Sequence, residues 1–367
     1  MNTPMAIPRT MHNFNAGPSV LPATVLEAAA AAIHDFNGSG LSILEIGHRT
    51  KAFEAVMDEA RTLVKEHMQL GSDFEVLFLH GGATTQFMQV PMNLLNENET
   101  AAYTDTGVWA SKALKEARDY GQVAVICSSK DKNYTYLPQQ FTVPEGATYL
   151  HITTNNTIYG TQWQNFEPFY NSGVPLVADM SSDILSRRLD FNRFALIYAG
   201  AQKNMGAAGV NLVVVNKNIL GKVNRKIPTI LDYRNHIENG SMLNTPPVFA
   251  VYVAMLTLRW IKEAGGIDVL EKINRQKAAL LYNKIDSLPI FTPTVEKDSR
   301  SLMNVCFLVQ TPELEKEFLA LCDASGIYGI RGHRSVGGFR ASLYNALSLE
   351  SVEYLTQLMT DFAQKKG

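Results

Sequence analysis

The residues best suited to chemistry gather around one lysine. In Tyr198-Ala199-Gly200-Ala201-Gln202-Lys203-Asn204-Met205-Gly206-Ala207-Ala208-Gly209, Lys203 follows an apolar strand pattern, stands among small residues and is followed by a second apolar run at 210–215. Small neighbours leave room beside an amine, and partial burial lowers its pKa, as Schiff-base chemistry requires. The same string also fits a lysine that reaches solvent from a Gly-rich connection. Asp179 ends the apolar run 175–178 and precedes Met180-Ser181-Ser182-Asp183. Ligands of parallel α/β sheets sit outside the carboxyl ends of strands, so a carboxylate there suits a cationic group such as a protonated pyridine nitrogen. A turn or helix-cap aspartate is the alternative.

His80-Gly81-Gly82-Ala83-Thr84-Thr85-Gln86 follows the apolar run 76–79 and opens a helical pattern. Glycines admit an anion to the backbone, and a helix N-terminus offers free N–H groups with a favourable dipole. The string lacks a Walker lysine and the G-x-G-x-x-G spacing. Trp109 could stack on a flat ring or belong to a core. Thr153-Thr154-Asn155-Asn156-Thr157 is a polar stretch that could offer hydroxyls. Cations collect at His48-Arg49, just before a helix start, at Gly332-His333-Arg334, and at Arg340. Phe339, Ala341 and Leu343 share one face of a strand, which turns Arg340 to the other. Arginine forks suit bidentate capture of carboxylate or phosphate, although each of these cations taken singly also fits a surface ion pair.

These groups need elements to hold them. Between 50 and 70, Phe53, Val56, Ala60, Leu63 and Val64 recur at three- and four-residue steps, which predicts an amphipathic helix. Short apolar runs follow at 76–79, 123–127, 149–152, 175–178, 195–198 and 212–215. Continuous apolarity predicts strands covered on both faces, and the intervals between most of them hold a crossover helix, so the first two thirds read as a mainly parallel α/β sheet. Asn244-Thr245-Pro246-Pro247 predicts a long helix capped by Thr245 with Pro246 in its first turn, bridging two domains. Beyond it come a strand near 305–309, a helix from Thr311-Pro312, a strand at 338–344 and a last helix capped by Ser348. That alternation predicts a smaller α+β unit.

Composition narrows the function further. The 367 residues carry 33 Lys+Arg and 35 Asp+Glu, a net charge of −2, without a block of like charge. No electrostatic footprint for nucleic acid or an anionic membrane surface results. The longest apolar run, 248–256, is nine residues, well short of the ~18 of a membrane span. Cys127, Cys306 and Cys322 are too few and too scattered for a disulfide framework or a zinc site, and no other metal site is expected. A soluble protein of the cytoplasm is the expectation.

In chain order, Phe14-Asn15-Ala16-Gly17-Pro18, Gly47-His48-Arg49, the turn at 81–87, Asn156-Thr157-Ile158-x-Gly160, Ala178-Asp179-x-Ser-Ser-Asp183, Ala201-Gln202-Lys203-Asn204, Asn244-Thr245-Pro246-Pro247 and Gly337-Gly338-Phe339-Arg340 resemble the phosphoserine aminotransferase family. That family belongs to class V of the pyridoxal-phosphate (PLP) enzymes. The resemblance implies the type I PLP-dependent transferase fold, α/β, with a mainly parallel sheet in a large PLP-binding domain (16–258) and a small α+β C-terminal domain (259–367). It places residues 1–15 near the small domain.

Carried over, the resemblance makes Lys203 the Schiff-base lysine and proton carrier, and Asp179 the partner of the pyridine nitrogen. Trp109 would stack on the ring, Thr157 would sit near the ring hydroxyl, and Ala83, Thr84 and Gln202 would surround the cofactor phosphate. Asn244 and Thr245 would reach that phosphate from a neighbouring subunit, which implies a homodimer with shared active sites. Arg340 would hold the substrate α-carboxylate. His48, Arg49, His333 and Arg334 would hold the distal anion, a phosphate or a side-chain carboxylate. The implied reaction interconverts O-phospho-L-serine plus 2-oxoglutarate with 3-phosphohydroxypyruvate plus L-glutamate, in ping-pong fashion, in L-serine biosynthesis. A phosphorylated hydroxythreonine of vitamin B6 synthesis is a second substrate that the resemblance permits. The chain departs from some members at Ala83-Thr84, where they carry Gly-Arg, and at Ala207, where a proline is common.

Overall fold

The computed structural model describes residues 11–366. Along the chain, β1 (His12–Asn13) leads to helices α1 (Ala23–His34) and α2 (Lys51–Met68). Then come β2 (Phe74–Leu79), α3 (Gly82–Leu94), β3 (Thr100–Asp105), α4 (Val108–Ala117), β4 (Gln122–Ser128) and β5 (Leu150–Thr153). A small hairpin, β6 (Asn155–Asn156) and β7 (Thr161–Gln162), precedes α5 (Glu167–Tyr170), β8 (Leu176–Asp179), β9 (Leu196–Gly200) and β10 (Asn211–Asn216). Helices α6 (Tyr233–Glu238), α7 (Val248–Glu263) and α8 (Gly266–Ser287) follow. The chain finishes with β11 (Phe291–Pro293), β12 (Asn304–Val309), α9 (Pro312–Ala324), β13 (Ile327–Tyr328), β14 (Phe339–Ser342) and α10 (Leu349–Lys366).

Seven strands form the main sheet in the order β2-β10-β9-β8-β5-β3-β4. Only β10 runs antiparallel to its neighbours, β2 and β9; the remaining pairs are parallel. The ten residues from Ala201 to Val210 that join β9 to β10 contain no crossover helix, and without one consecutive strands pair antiparallel. One face of the sheet packs on α1, α2 and α7, and the other on α3 and α4, with apolar cores on both sides. All six apolar runs are strands. The run at 123–127 differs from expectation in its burial: β4 is the sheet edge, and Val125 is 44% exposed. Strand β3 was not expected at all, because Thr-Ala-Ala-Tyr-Thr-Asp, despite its Thr and Tyr, has neither a continuous apolar run nor a clean period.

The smaller unit is a three-stranded antiparallel sheet, β11-β12-β14, with α9 and α10. Thr311 caps α9 by accepting from the Leu314 N–H, and Ser348 accepts from the Ser351 N–H as α10 begins. Strand β1 pairs with β13, and Phe14 lies in this core, so the described part of the 1–15 segment packs here; residues 1–10 lie outside the described residues.

Two expectations about the connection need correction. Helix α7 starts at Val248 and has no side-chain cap; Thr245 lies outside it, its carbonyl accepting from His80 Nε2 at 2.8 Å. Nor does α7 bridge the domains. Its apolar run is buried nearly all round, so it belongs wholly to the larger core, and the division expected at 258/259 falls inside it. The bridge is α8, whose Ile267 and Leu270 join the larger core while Ala278, Leu281, Tyr282 and Ile285 join the smaller.

Candidate active site

A cavity of about 360 Å³ opens where the carboxyl ends of β5 and β8 face the smaller unit. Lys203, Asp179, Trp109, Thr157, Gln202, Ala83, Thr84, His333 and Arg340 all line it. Residues separated by more than 250 positions are thereby brought into one space of ordinary ligand size.

Strand register places the acid. Asp179 is the last residue of β8, paired with Thr153 on β5 and Tyr198 on β9, and only 4% exposed. Its Oδ1 accepts from the Ser181 N–H at 2.9 Å. Burial pushes its pKa up, against which the Ser181 hydrogen bonds and the Lys203 charge hold the anion. Behind it, Asp183 is buried in an ion pair with Arg187 at 3.1 Å and also accepts from Gln162 at 3.1 Å. The turn that carries Asp179 is thus fixed from both sides.

Lys203 sits in the 201–210 connection, which is pressed against α7. A Cβ on Gly206 would lie 3.0 Å from Ala254 Cα, so a side chain there would force the loop off the helix. The Ser19 N–H donates to the Gln202 carbonyl at 2.9 Å, and Ser19 Oγ donates to the Lys203 carbonyl. Lys203 Nζ donates to Thr157 Oγ1 at 3.0 Å. Burial lowers its pKa to about 8, with the Arg340 charge adding to the effect and Asp179 and Asp183 opposing it. An amine with that pKa is substantially neutral at mildly alkaline pH, which makes it a nucleophile towards an aldehyde.

The anion end of the cavity is the start of α3. Gly81 caps that helix at φ +91°, and a Cβ there would lie 1.9 Å from Thr85 Oγ1, so only glycine makes this turn. The first-turn N–H groups of Gly82, Ala83 and Thr84 have no intrahelical acceptors, and all three residues face the cavity. Trp109, in the first turn of α4, is half-buried, with Lys112 Nζ 4.5 Å from its ring centroid.

Across the cavity, Arg340 donates from Nη1 to the Thr157 carbonyl at 3.3 Å, while its buried Nε has no partner. An orphaned guanidinium N–H costs free energy unless an acceptor arrives, and a ligand carboxylate is the natural one. His333 stands in the loop before β14, its Nδ1 hydrogen-bonded to Ser335 Oγ at 2.7 Å. Its pKa is lowered by partial burial and then by the charges of Arg340, Arg334 and Lys112.

The other site candidates lie elsewhere. His48 and Arg49 precede α2 and do not line the cavity; His48 Nε2 is buried without a partner and Arg49 is exposed. Arg334 is exposed beside His333 but outside the lining. Asn244 lines a separate crevice of about 140 Å³ with His80, Gln89 and His236, and Thr245 is exposed beside it. Of the five cations expected to converge, only His333 and Arg340 reach the cavity within one chain.

Several lining residues had no assigned role from the sequence. Asn15, Ala16 and Gly17 close one side, and a Cβ on Gly17, whose φ is +142°, would lie 3.5 Å from Lys203 Cγ. Asn155 and Ser182 form the floor; Asn155 Nδ2 donates to Ser182 Oγ at 2.7 Å and to Asn304 Oδ1 at 2.8 Å, linking the two units. Their signals were present in the Phe14-Asn15-Ala16-Gly17-Pro18 string and in the serines after Asp179, but small polar residues carry no charge pattern to single them out.

The chain matches the family described as Aminotransferase class-V over residues 11–355. This chain belongs to the class-V aminotransferases. Curated relatives include the phosphoserine aminotransferase of Flavobacterium johnsoniae, 55% identical over 96% of this chain and 99% of its own, and that of Bacteroides thetaiotaomicron, 52% identical over 96% and 98%. Among solved structures, the phosphoserine aminotransferase of Bacillus circulans subsp. alkalophilus superposes with a TM-score of 0.94 at 46% identity, covering 97% of this chain and 99% of that one. The PLP-bound phosphoserine aminotransferase of Trichomonas vaginalis superposes with a TM-score of 0.89 at 34% identity, covering 95% and 99%. The fold is that of the PLP-dependent aminotransferases, and the chain is a PLP-dependent transaminase. A class-V enzyme working through a cysteine nucleophile does not fit: Cys306 and Cys322 are buried and Cys127 lies in the edge strand, with burial pushing all three thiols up to about 12. Among the described residues, no helix is long and apolar enough to cross a membrane.

Proposed function

We propose that this aminotransferase exchanges an amino group between O-phospho-L-serine and 2-oxoglutarate, giving 3-phosphohydroxypyruvate and L-glutamate in two alternating half-reactions, as a cytoplasmic homodimer in L-serine biosynthesis. The observation that supports it most is the Lys203–Asp179 pair facing Arg340, whose unpartnered Nε awaits an anion.

The cavity suits PLP by the chemistry of its donors. Lys203 would join the cofactor aldehyde, Asp179 would meet the ring nitrogen and Trp109 would cover the ring. Ala83, Thr84 and Gln202 would receive the phosphate at the start of α3, where a helix dipole favours an anion. With no arginine at position 84, backbone N–H groups carry more of that contact. Once bound, PLP supplies an electron sink for the bond broken at the substrate Cα.

The protein residues do the rest. Asp179, whose anion the Ser181 hydrogen bonds and the Lys203 charge favour against burial, would keep a proton on the ring nitrogen. Lys203 Nζ would take the proton from the substrate Cα and deliver it to the cofactor's aldehyde-derived carbon, and Thr157 Oγ1 would orient that amine. Arg340 holds the α-carboxylate and so fixes which Cα bond faces Lys203. His333, with Arg334, would meet the distal anion. His48, Arg49, Asn244 and Thr245 lie outside this cavity within one chain, and a second subunit is what would bring such groups to it.

Titrating the purified, PLP-loaded protein with L-glutamate and then with O-phospho-L-serine tests the proposal. Each amino acid should convert the absorption of lysine-bound cofactor to that of the amine form, and 2-oxoglutarate should reverse it. A protein that responds to L-alanine as readily as to either would not be the proposed enzyme. The same titration with 4-phosphohydroxy-L-threonine tests the second substrate.

A further inference from the structure

Helix α8 buries a lysine that the transamination site does not touch. Lys277 is 0% exposed, and its Nζ donates to three carbonyls: Leu343 at 2.9 Å, Tyr344 at 2.8 Å and Leu347 at 3.0 Å. Among the described residues no carboxylate pairs with it, and burial alone lowers its pKa, to about 7. Three acceptors around one nitrogen fit an ammonium, since a neutral amine would turn a lone pair towards one of them. A buried charge without a counter-ion is an expensive way to hold a turn, because a well-packed apolar side chain fills such a space more cheaply.

The held segment explains the expense. Residues 343–347 connect β14, which carries Arg340, to α10. The Asn345 N–H donates to Asn204 Oδ1 at 2.9 Å, on the residue next to Lys203. Asn345 Nδ2 donates to the Leu185 carbonyl at 3.0 Å, just beyond Asp183, and Tyr344 Oη donates to the Ala16 carbonyl at 3.0 Å on the cavity wall. Asn274, three residues before Lys277 on α8, donates to Asn345 Oδ1 at 2.8 Å. One face of the bridging helix thus grips a segment that touches the cavity at several points.

We propose that Lys277 is a positioning residue for transamination: its buried ammonium fixes the 343–347 segment, and through Asn345 and Asn204 that segment sets the placement of Lys203, with Arg340 three residues upstream. The inference rests on the functional reading above in giving Lys203 and Arg340 their roles.

The test compares PLP-loaded wild type with Lys277→Met, Asn204→Ala and the double variant. Three quantities are read: the pH midpoint of the lysine-bound cofactor absorption, kcat and KM for L-glutamate, and the thermal midpoint. Both single variants should move the absorption midpoint and lower kcat by about 10- to 100-fold, the scale of a small misplacement of reacting groups. The double variant should lose less than the product of the two, since both cut one line of contact. A Lys277→Met protein that melts earlier but keeps the wild-type absorption midpoint and kcat overturns the proposal. If Lys277→Met does not fold, Lys277→Gln keeps two N–H donors without the charge, and an unchanged midpoint in that variant overturns it equally. Wild-type protein inactive towards O-phospho-L-serine would sink the substrate reading instead, while the absorption midpoint, which needs no substrate, still decides Lys277.

Discussion

The two ends of the active-site cavity are built on different principles. The inner end, with Lys203, Asp179, Thr157 and the start of α3, stands at the carboxyl edge of one sheet, where the pairing of Thr153 with Asp179 and of Asp179 with Tyr198 fixes the acid. The outer end rests on a loop and an edge: His333 precedes β14, Arg340 lies on it, and Arg334 is exposed beside them. His48, Arg49, Asn244 and Thr245 lie elsewhere. Within one chain the inner end gathers Lys203, Asp179, Thr157 and the start of α3, whereas of the outer cations only His333 and Arg340 line the cavity. Under the proposed function, rigid elements would hold the chemistry and peripheral ones the specificity.

That contrast can be broken most sharply at the inner end. Lys203→Ala should abolish both the absorption of lysine-bound cofactor and turnover; normal turnover in that variant would falsify the assignment of the lysine. Asp179→Asn should retain a lysine-bound cofactor and lose about 10²-fold or more in kcat, because the neutral amide no longer stabilises a protonated ring nitrogen. Steady-state rates at saturating L-glutamate measure this.

At the outer end the losses should be smaller and should sort by substrate. Arg340→Gln should weaken binding of every amino acid by about 10- to 100-fold, as loss of a charge-assisted carboxylate contact does. Arg49→Ala should raise KM for O-phospho-L-serine and L-glutamate while sparing L-alanine, whose side chain has no distal anion. Equal losses for all three would remove Arg49 from the distal site, and with it one reason for a shared dimeric site.

The smallest effect is a pH shift that again separates the two ends. With its pKa lowered to about 8, Lys203 is protonated below that pH and neutral above it. The rate at which cofactor-free protein captures PLP should therefore rise through pH 8 and level off, whereas an ordinary lysine would keep gaining up to ~10.4. Asp179→Asn removes a charge that raises the Lys203 pKa and should move this midpoint down. Arg334→Ala, exposed and outside the lining, should leave it in place. Stopped-flow absorbance across pH 6.5–10 reads all three.

Much of the inner end was legible because its signals are local. Asp179 directly after a short apolar run announces a strand end, and Gly81-Gly82 before a helical period announces a strand-to-helix turn. Less was legible where burial depends on partners distant in sequence. Strand β3 is held by neighbours on both sides rather than by its own propensity, β4 looks like a covered strand but is an edge, and Thr245 resembles a helix cap although α7 starts three residues later. The clustering of cations was anticipated too broadly. Sequence types named all five, but only packing could say that two of them share the cavity within one chain.

The sequence by itself indicated a mainly parallel α/β sheet, six of the seven strands of the main sheet, and Lys203 and Asp179 as candidates for chemistry. Those follow from periodicity and from residue type, which are properties of short segments. The tertiary structure alone decided that β10 reverses direction, that α8 and not α7 joins the two cores, and that Arg340, from the smaller unit, lines one cavity with Lys203. It also decided that Lys277 is buried against three backbone carbonyls and does not reach the surface. The reason is one of range: a helix or strand pattern spans a few residues, whereas the burial and charge state of a side chain depend on whatever the rest of the chain packs against it.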